Sequence, residues 1–120
     1  MIRHGVIFKA FDVVVVPFPF TDRDATKRRP ALVISNALFN QQHDQIILDM
    51  ITTSTDNAWP SDVSLKHWQD IGLKVACHVR LKLFTLNQNL VLKTVGQLYF
   101  HDVKSVQAVF AKYADINKTD

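Results

Sequence analysis

All the acidic residues of this 120-residue chain are aspartate, and glutamate is absent. A carboxylate that serves as a base or as a metal ligand must therefore have the shorter reach of Asp. The eleven Asp residues are scattered along the chain without the spacing of a metal site. The sequence disfavours metal-dependent chemistry, and we expect no metal and no other cofactor.

Other features are scarce as well. Cys77 is the only cysteine, which excludes an internal disulfide and a zinc-type cysteine cluster. No segment approaches the roughly 20 uncharged apolar residues of a membrane-spanning helix, and the N-terminus lacks the pattern of a signal peptide. With three Gly, four Pro and no repeat, no linker is apparent. We expect one domain over residues 1–120, cytoplasmic and without membrane contact.

The apolar residues that are present predict mainly β structure. We expect strands over Asp12–Val16, where Pro17 and Pro19 end the ladder, and over Ala31–Ser35, Gln45–Thr53, Asp62–Leu65, Val75–Lys82 and Leu90–Tyr99. A helical turn ends at Gly72, and Gly96 is expected at a bulge. Helical spacing from Val103 to Tyr113, with Asp102 as N-cap, predicts a C-terminal helix. Many short strands and one packing helix indicate a small curved antiparallel sheet or partly open barrel.

Three cations, Lys27, Arg28 and Arg29, directly precede Pro30 at the end of a polar loop predicted from Thr21. Proline pushes Arg29 towards extended geometry, and a guanidinium there offers paired donors that match phosphate oxygens. A solvated charge run with no ligand is the competing interpretation.

Hydroxyls cluster at Thr52–Thr55, where the third apolar strand leaves the sheet. Ordinary turn chemistry, in which Ser and Thr bond their own backbone, explains this cluster equally well. Alternation in the next long strand places His78, Arg80 and Lys82 on one face, which predicts a basic stripe. That stripe is either an anion-binding surface or an exposed face without a ligand.

In this order the segments resemble the PemK/MazF family of bacterial toxins. The resemblance rests on Pro-Phe-Pro-Phe-Thr-Asp at 17–22, Lys-Arg-Arg-Pro-Ala-Leu-Val-Ile-Ser at 27–35, the strand ending in Thr52-Thr53, and Val-Arg-Leu-Lys-Leu-Phe-Thr-Leu at 79–86. These segments extend over nearly the whole chain.

The resemblance implies an SH3-like barrel of the CcdB/PemK type with a C-terminal helix, a homodimer, and a cognate antitoxin as partner. It also implies metal-independent cleavage of single-stranded RNA that leaves a 2′,3′-cyclic phosphate and a 5′-hydroxyl. By position in the motifs, Arg29 and Thr52 become the catalytic residues. Arg29 suits electrostatic stabilisation because it does not readily lose a proton.

We expect Lys27, Arg28, His78, Arg80 and Lys82 to bind the RNA. The general base is unassigned, with His78 as a candidate because imidazole titrates near neutral pH. We hypothesise that the antitoxin covers the basic stripe.

The chain departs from the family pattern at two positions. Phe11 stands where members usually have Gly, which weakens the expected turn. Lys82 stands where some members have an Asp two residues after the later Arg, so Arg80 is expected to lack a carboxylate partner.

Two other functions remain open. One is a non-catalytic binding protein with the CcdB fold, although the C-terminus lacks the Trp-Gly-Ile tail through which those gyrase poisons act. The other is a degenerate relative that binds only RNA or an antitoxin.

Overall fold

The computed structural model of the chain describes residues 6–18, 27–53 and 57–116. Within these residues six strands form one antiparallel sheet with the order β4-β5-β3-β2-β1-β6. Along the chain the elements are β1 (Asp12–Phe18), β2 (Lys27–Val33), α1 (Ala37–His43), β3 (Gln45–Thr52), β4 (Val63–Ser64), α2 (Trp68–Ile71), β5 (His78–Asn87), β6 (Lys93–Gln97) and α3 (Phe100–Tyr113). The sheet curls into a half-barrel, which confirms the predicted fold class.

Both faces of the central strands are buried, as the β-branched run of β1 predicts. Val13 and Leu32 pack on one face with residues of α2 and α3, such as Ile71 and Val106. We call this the helix face. Because side chains alternate along a strand, their neighbours point the other way. Val14, Val16, Ala31, Val33 and Leu48 pack there in a second cluster, on what we call the Arg29 face.

Two strand boundaries differ from the prediction in a way that matters for the site. β1 continues through Pro17 to Phe18, and β2 begins at Lys27. Pairing with β6 stops at Val15, so from Pro17 onward only β2 flanks the strand, and a residue without an N–H is tolerated there. The three cations predicted at the end of a loop therefore lie in a strand. The rest of that loop, and Ser54 and Thr55 of the hydroxyl cluster, lie outside the described residues.

The strand predicted over Val75–Lys82 is displaced towards the C-terminus. β5 begins at His78, and Val75 lies before it with 53% of its surface exposed. The pairing with β3 skips Leu81 and Lys82, because Met50 lies opposite Arg80 and Asp49 lies opposite Leu83. Lys82 therefore lies in a bulge with an exposed side chain.

Helix α1 was not predicted. Its signal in the sequence is Asn36, whose side-chain oxygen accepts a hydrogen bond from the backbone N–H of Phe39 at 3.0 Å, as an N-cap does. The helical turn that ends at Gly72 is confirmed, and Gly72 adopts the left-handed conformation with φ 112°.

The bulge expected near Gly96 is confirmed, since the pairing of β6 shifts register between Gly96 and Thr94. Close packing against α2 also explains why this position is a glycine. A Cβ atom there would lie 2.6 Å from the backbone oxygen of Ile71, so α2 approaches the sheet too closely for any side chain.

The C-terminal helix is confirmed, but its predicted N-cap is wrong. The N-cap is Tyr99, and Asp102 lies in the first turn with no exposed surface. The carboxylate of Asp102 instead accepts hydrogen bonds from the backbone N–H groups of Lys66 and His67, at 3.0 and 3.1 Å. It therefore joins α3 to the turn that opens α2.

The turn before β1 forms even though Phe11 replaces the usual glycine. Phe11 adopts a left-handed conformation with φ 72°, which is uncommon for a residue with a side chain. Its N–H donates to the Val33 oxygen at 2.6 Å, and its oxygen accepts from the Leu98 N–H at 3.0 Å. These two bonds and packing against the helix-face cluster hold the strained turn.

In the described part of the chain, no helix has the length and apolar character needed to span a membrane.

Candidate functional site

Three neighbouring strands bring Arg29, Thr52 and His78 to one edge of the Arg29 face. Thr52 of β3 lies directly opposite His78 of β5. On the other side of β3, Met50 pairs with Ala31 of β2. The two strands are antiparallel, so Arg29, two residues before Ala31, and Thr52, two residues after Met50, both lie beyond this pair in the same direction. Directly opposed residues share a face. Arg29 and Thr52, the sequence-predicted catalytic pair, therefore lie on the same face of neighbouring strands, two residues beyond the last ladder pair, and His78 lies opposite Thr52.

Arg29 is half-buried, and its guanidinium carbon lies 5.2 Å from the ring centre of Phe18. A guanidinium over an aromatic face gains a favourable interaction with the ring electrons while its edge remains able to donate hydrogen bonds. Extended backbone before Pro30 and pairing with Val16 hold the residue in the sheet. A cation held in this way can stabilise negative charge that develops beside it.

Asp62 is the main residue of the site that sequence reasoning missed. It lies in the turn before β4, and its two carboxylate oxygens accept hydrogen bonds from Nε and Nη2 of Arg80 at 3.1 and 2.9 Å. The expectation that Arg80 lacks a carboxylate partner is therefore wrong, because the partner comes from another element. Nothing in the local sequence around Asp62 indicates this pairing. Only the pairing of β4 with β5 brings the two residues together.

The same carboxylate also reaches His78. Its Oδ2 lies 3.4 Å from Nε2 of the imidazole, and the Arg80 Nη2 lies 3.5 Å from that nitrogen. The three side chains retain only 11–14% of their surface. The hydrogen bond from Arg80 lowers the pKa of the Asp62 carboxyl below its usual value, against the opposing effect of burial. Asp62 is thus held in its charged form.

Trp59 completes this cluster. Its ring centre lies 5.1 Å from the guanidinium carbon of Arg80. Its backbone N–H donates to Oδ2 of Asp62 at 2.9 Å, and its oxygen accepts from the Asp62 N–H at 2.9 Å. Trp59 is 39% exposed, so it covers the ion pair on one side and presents a surface on which an unpaired base could stack.

The structure does not bring the remaining predicted RNA-binding residues to this edge as one group. Because side chains alternate along β2, Lys27 and Arg29 point to the Arg29 face and Arg28 points to the helix face. There Arg28 lines a cleft of about 400 Å³ with Lys74 and Lys93 above an aliphatic floor. Lys82 extends from the bulge of β5. The expected basic stripe is therefore interrupted, because Arg80 is paired with Asp62 and Lys82 is displaced by the bulge.

Asp49 lies beneath the bulge and is 1% exposed. Its Oδ1 accepts hydrogen bonds from the backbone N–H groups of Met50 and Lys82, both at 2.9 Å. Its Oδ2 has no hydrogen-bond partner among the described residues. Burial raises the pKa of this carboxyl to about 6, and the negative charge of Asp62 adds to that rise. Asp49 therefore stabilises the bulge through one oxygen at the cost of burying a charge.

Together these groups offer a defined set of chemical functions. Arg29 supplies a fixed positive charge and Thr52 supplies a hydroxyl between that charge and an imidazole. His78 is in contact with a carboxylate, an arrangement that sets the orientation of an imidazole ring. Such a face can bind a phosphodiester, stabilise a more negative state of it and exchange a proton. Among the described residues, no three His, Cys or Asp side chains group as metal ligands.

Comparisons with known proteins agree with the fold. The model of the family described as PemK-like, MazF-like toxin of type II toxin–antitoxin systems matches residues 9–113. No curated protein sequence matches the chain.

Several solved structures share the fold at low sequence identity. A MazE–MazF complex from Deinococcus radiodurans superposes with a TM-score of 0.71 at 20% identity, covering 94% of this chain and 100% of that chain. An endoribonuclease in complex with its cognate antitoxin, from a mycobacterial species, also gives 0.71, at 13% identity over 94% and 98% of the two chains. The Mycobacterium tuberculosis toxin MazF-mt6 gives 0.67 at 14% identity over 89% and 99%.

Proposed function

The chain belongs to the PemK-like, MazF-like toxins of type II toxin–antitoxin systems, and on that premise we propose that it is a metal-independent endoribonuclease of single-stranded mRNA. The observation that supports the proposal is that Arg29 and Thr52 share one face of neighbouring strands just beyond their last ladder pair, with His78 directly opposite Thr52. The cut occurs at a short sequence in the transcript.

The reaction is an internal transesterification. The 2′-oxygen of the nucleotide bonds to the neighbouring phosphorus, and the bond from phosphorus to the 5′-oxygen breaks. The 2′-hydroxyl loses its proton and the departing 5′-oxygen gains one, which gives a 2′,3′-cyclic phosphate and a 5′-hydroxyl. Since the nucleophile belongs to the substrate, the protein has only to bind the phosphate, stabilise its added charge and assist the two proton transfers.

Each residue of the edge has a role in this scheme. Arg29 donates hydrogen bonds to the phosphoryl oxygens and stabilises the pentavalent state. The hydroxyl of Thr52 orients the phosphate or the 2′-hydroxyl. His78 is the candidate to accept a proton, and Arg80, bound to Asp62, adds positive charge. Lys27, Arg28 and Lys82 contact the backbone of the RNA away from the cut, Arg28 from the other face of the sheet.

We propose two protein partners. A cognate antitoxin is supported by the solved relatives that are complexes with one. A second copy of the chain, as a homodimer, is supported by the membership of the family and by large apolar side chains left exposed on the described surface, such as Phe100 at 75% and Leu38 at 62%.

Cleavage of a defined single-stranded RNA in excess EDTA tests the function. We expect the purified chain to cut the RNA and to leave a cyclic phosphate, detected because acid treatment opens the ring and changes the mobility of the fragment. The matched control is the same oligonucleotide with a 2′-deoxy nucleotide at the cut, which lacks the nucleophile and should stay intact. Cleavage only after a divalent metal is added, or cleavage of the deoxy control, would contradict the mechanism. Binding without cleavage would favour a degenerate relative.

A further inference from the structure

The Asp62 carboxylate connects two side chains that the proposed function places on the RNA. Both oxygens are bound to Arg80, and Oδ2 also lies 3.4 Å from Nε2 of His78. His78 is the residue directly opposite Thr52, and Arg80 lies opposite Met50, which is two residues before Thr52 in β3. Asp62 thus acts on the site through its contacts with Arg80 and His78.

The geometry of the Arg80 pair fixes the guanidinium. Nε and Nη2 donate side by side to the two carboxylate oxygens, which sets both the position and the plane of the group. The Trp59 ring lies 5.1 Å from the guanidinium carbon and limits movement out of that plane. Nη1 is the nitrogen that these two bonds leave for a further acceptor, such as a phosphate oxygen.

The contact with His78 limits the imidazole in the same way. Nε2 of the ring lies 3.4 Å from the Asp62 carboxylate and 3.5 Å from Nη2 of Arg80, so both members of the ion pair border the same nitrogen. One carboxylate therefore sets the direction of a cation and contacts an imidazole at the same edge.

An ion pair between Asp62 and Arg80 that only stabilises the fold is the simpler explanation, but it accounts for fewer of the observed contacts. The Asp62 and Arg80 side chains are 11% and 13% exposed, so forming the pair also removes water from both charges, a cost that opposes their attraction. A bond to Arg80 also gives no reason for the same oxygen to face His78, the residue opposite Thr52.

We propose that Asp62 is a positioning residue for RNA cleavage, which holds the Arg80 guanidinium and the His78 ring in fixed orientations beside Thr52. The proposal rests on the proposed function. It adds a residue that no strand pattern of this chain indicates, and the carboxylate acts through its two neighbours without touching the substrate.

The test is Asp62→Asn, which keeps the shape of the side chain and removes its charge. Arg80 and His78 then lose their common anchor while the site gains one unit of positive charge. We expect kcat for cleavage to fall about 10- to 100-fold. We expect KM to be unchanged or lower, and the affinity for the uncleavable 2′-deoxy RNA to be unchanged or higher, because the added positive charge favours binding of an anion. The matched control is Asp70→Asn, since Asp70 also contacts an imidazole, His67, at 3.2 Å but on an exposed surface. Its kcat should equal that of the wild type.

Three results would overturn the proposal. A rise in cleavage would make Asp62 an inhibitory counter-ion. A higher KM with unchanged kcat would mean that it only supports binding. A parallel loss of binding, cleavage and melting temperature would mean that it is structural. If Asp62→Asn does not fold, Arg80→Lys replaces it, because lysine keeps the charge but cannot donate side by side. The same fall in kcat with retained binding is then expected, and wild-type kcat would contradict the proposal.

The two proposals fail in different ways. Wild-type protein that does not cut RNA at all overturns the function and with it the role of Asp62. Wild-type cleavage that Asp62→Asn and Arg80→Lys leave unchanged overturns only the positioning role.

Discussion

Thr52 lies directly opposite His78 across the ladder between β3 and β5. The hydroxyl-bearing residue is thereby flanked by an imidazole on one neighbouring strand and, through the register of β2 and β3, by the guanidinium of Arg29 on the other. Thr52 ends β3, His78 begins β5, and Arg29 is the third residue of β2. The candidate site thus spans three strands, and the register of the β3–β5 ladder sets the relation of Thr52 to His78.

Two adjacent arginines offer a matched comparison, because Arg29 and Arg28 point to opposite faces of β2. We expect Arg29→Ala to lower kcat by about 100-fold or more, as removal of a donor to a developing negative charge does. Arg28→Ala removes the same charge from the cleft on the helix face and should leave kcat near the wild-type value. Single-turnover cleavage at saturating enzyme measures both. Equal losses of kcat in the two variants would contradict the assignment.

The salt dependence of binding adds a second measurement for Arg28. If this residue contacts the RNA backbone from the helix face, Arg28→Ala should reduce the slope of log affinity against log salt by roughly one phosphate contact, or about 0.7 for a single strand. An unchanged slope would remove Arg28 from the RNA-binding surface.

Thr52 and Thr53 form a second matched pair. Thr52→Val keeps the β-branched shape that suits a strand and removes the hydroxyl. We expect cleavage to fall about 10- to 100-fold, the range for a hydrogen bond to a charged group. Thr53→Val changes the next residue, which lines the cleft on the helix face, and should cut RNA normally. Full activity of Thr52→Val would exclude a role for its hydroxyl.

Asp49 should make stability depend on pH. Burial raises its pKa from 3.8 to about 6 in the folded protein, so between these values the folded state binds more protons than the unfolded state. The contribution of Asp49 to stability therefore decreases as pH rises through this window, by up to about 3 kcal/mol at about 1.4 kcal/mol per pKa unit. Relative to the wild type, Asp49→Asn should gain stability from pH 4 to pH 7.

Urea unfolding at several pH values measures this effect. Met50→Leu is the control, because it alters the same strand without removing a titrating group and should shift stability equally at each pH. A constant difference between Asp49→Asn and the wild type would show that Asp49 titrates alike in the folded and unfolded states.

Gly96→Ala should destabilise the fold by about 1–3 kcal/mol, the usual cost of overpacking. The added Cβ meets the Ile71 oxygen at 2.6 Å, and neither a backbone carbonyl nor the short helix α2 can move away without disturbing the sheet. The midpoint of urea unfolding measures the loss. Thr94→Ala, on the exposed part of β6, is the comparison and should change the midpoint much less.

Much of the fold can be predicted because the signals are local. The β-branched run of β1, the apolar spacing of α3 and the glycine that ends α2 each depend on a few neighbouring residues. Predictions at strand ends were less accurate. Lys27 to Arg29 look like a loop because they are charged, yet pairing with β1 extends β2 through them. Asp102 resembles an N-cap from its position, but its carboxylate bonds to a turn more than thirty residues earlier in the chain.

The sequence by itself determined mainly β structure and, through the resemblance of its motifs to the PemK/MazF family, a toxin-like fold in which an arginine precedes a proline and a threonine ends an apolar strand. It could do so because alternation and short motifs are properties of neighbouring residues. Only the tertiary structure decided that Arg28 and Arg29 serve opposite faces, that Thr52 meets His78, and that Asp62 binds Arg80. Those relationships depend on strand register and on a turn distant in sequence, and a pairing between distant segments leaves no mark in the local order of residues.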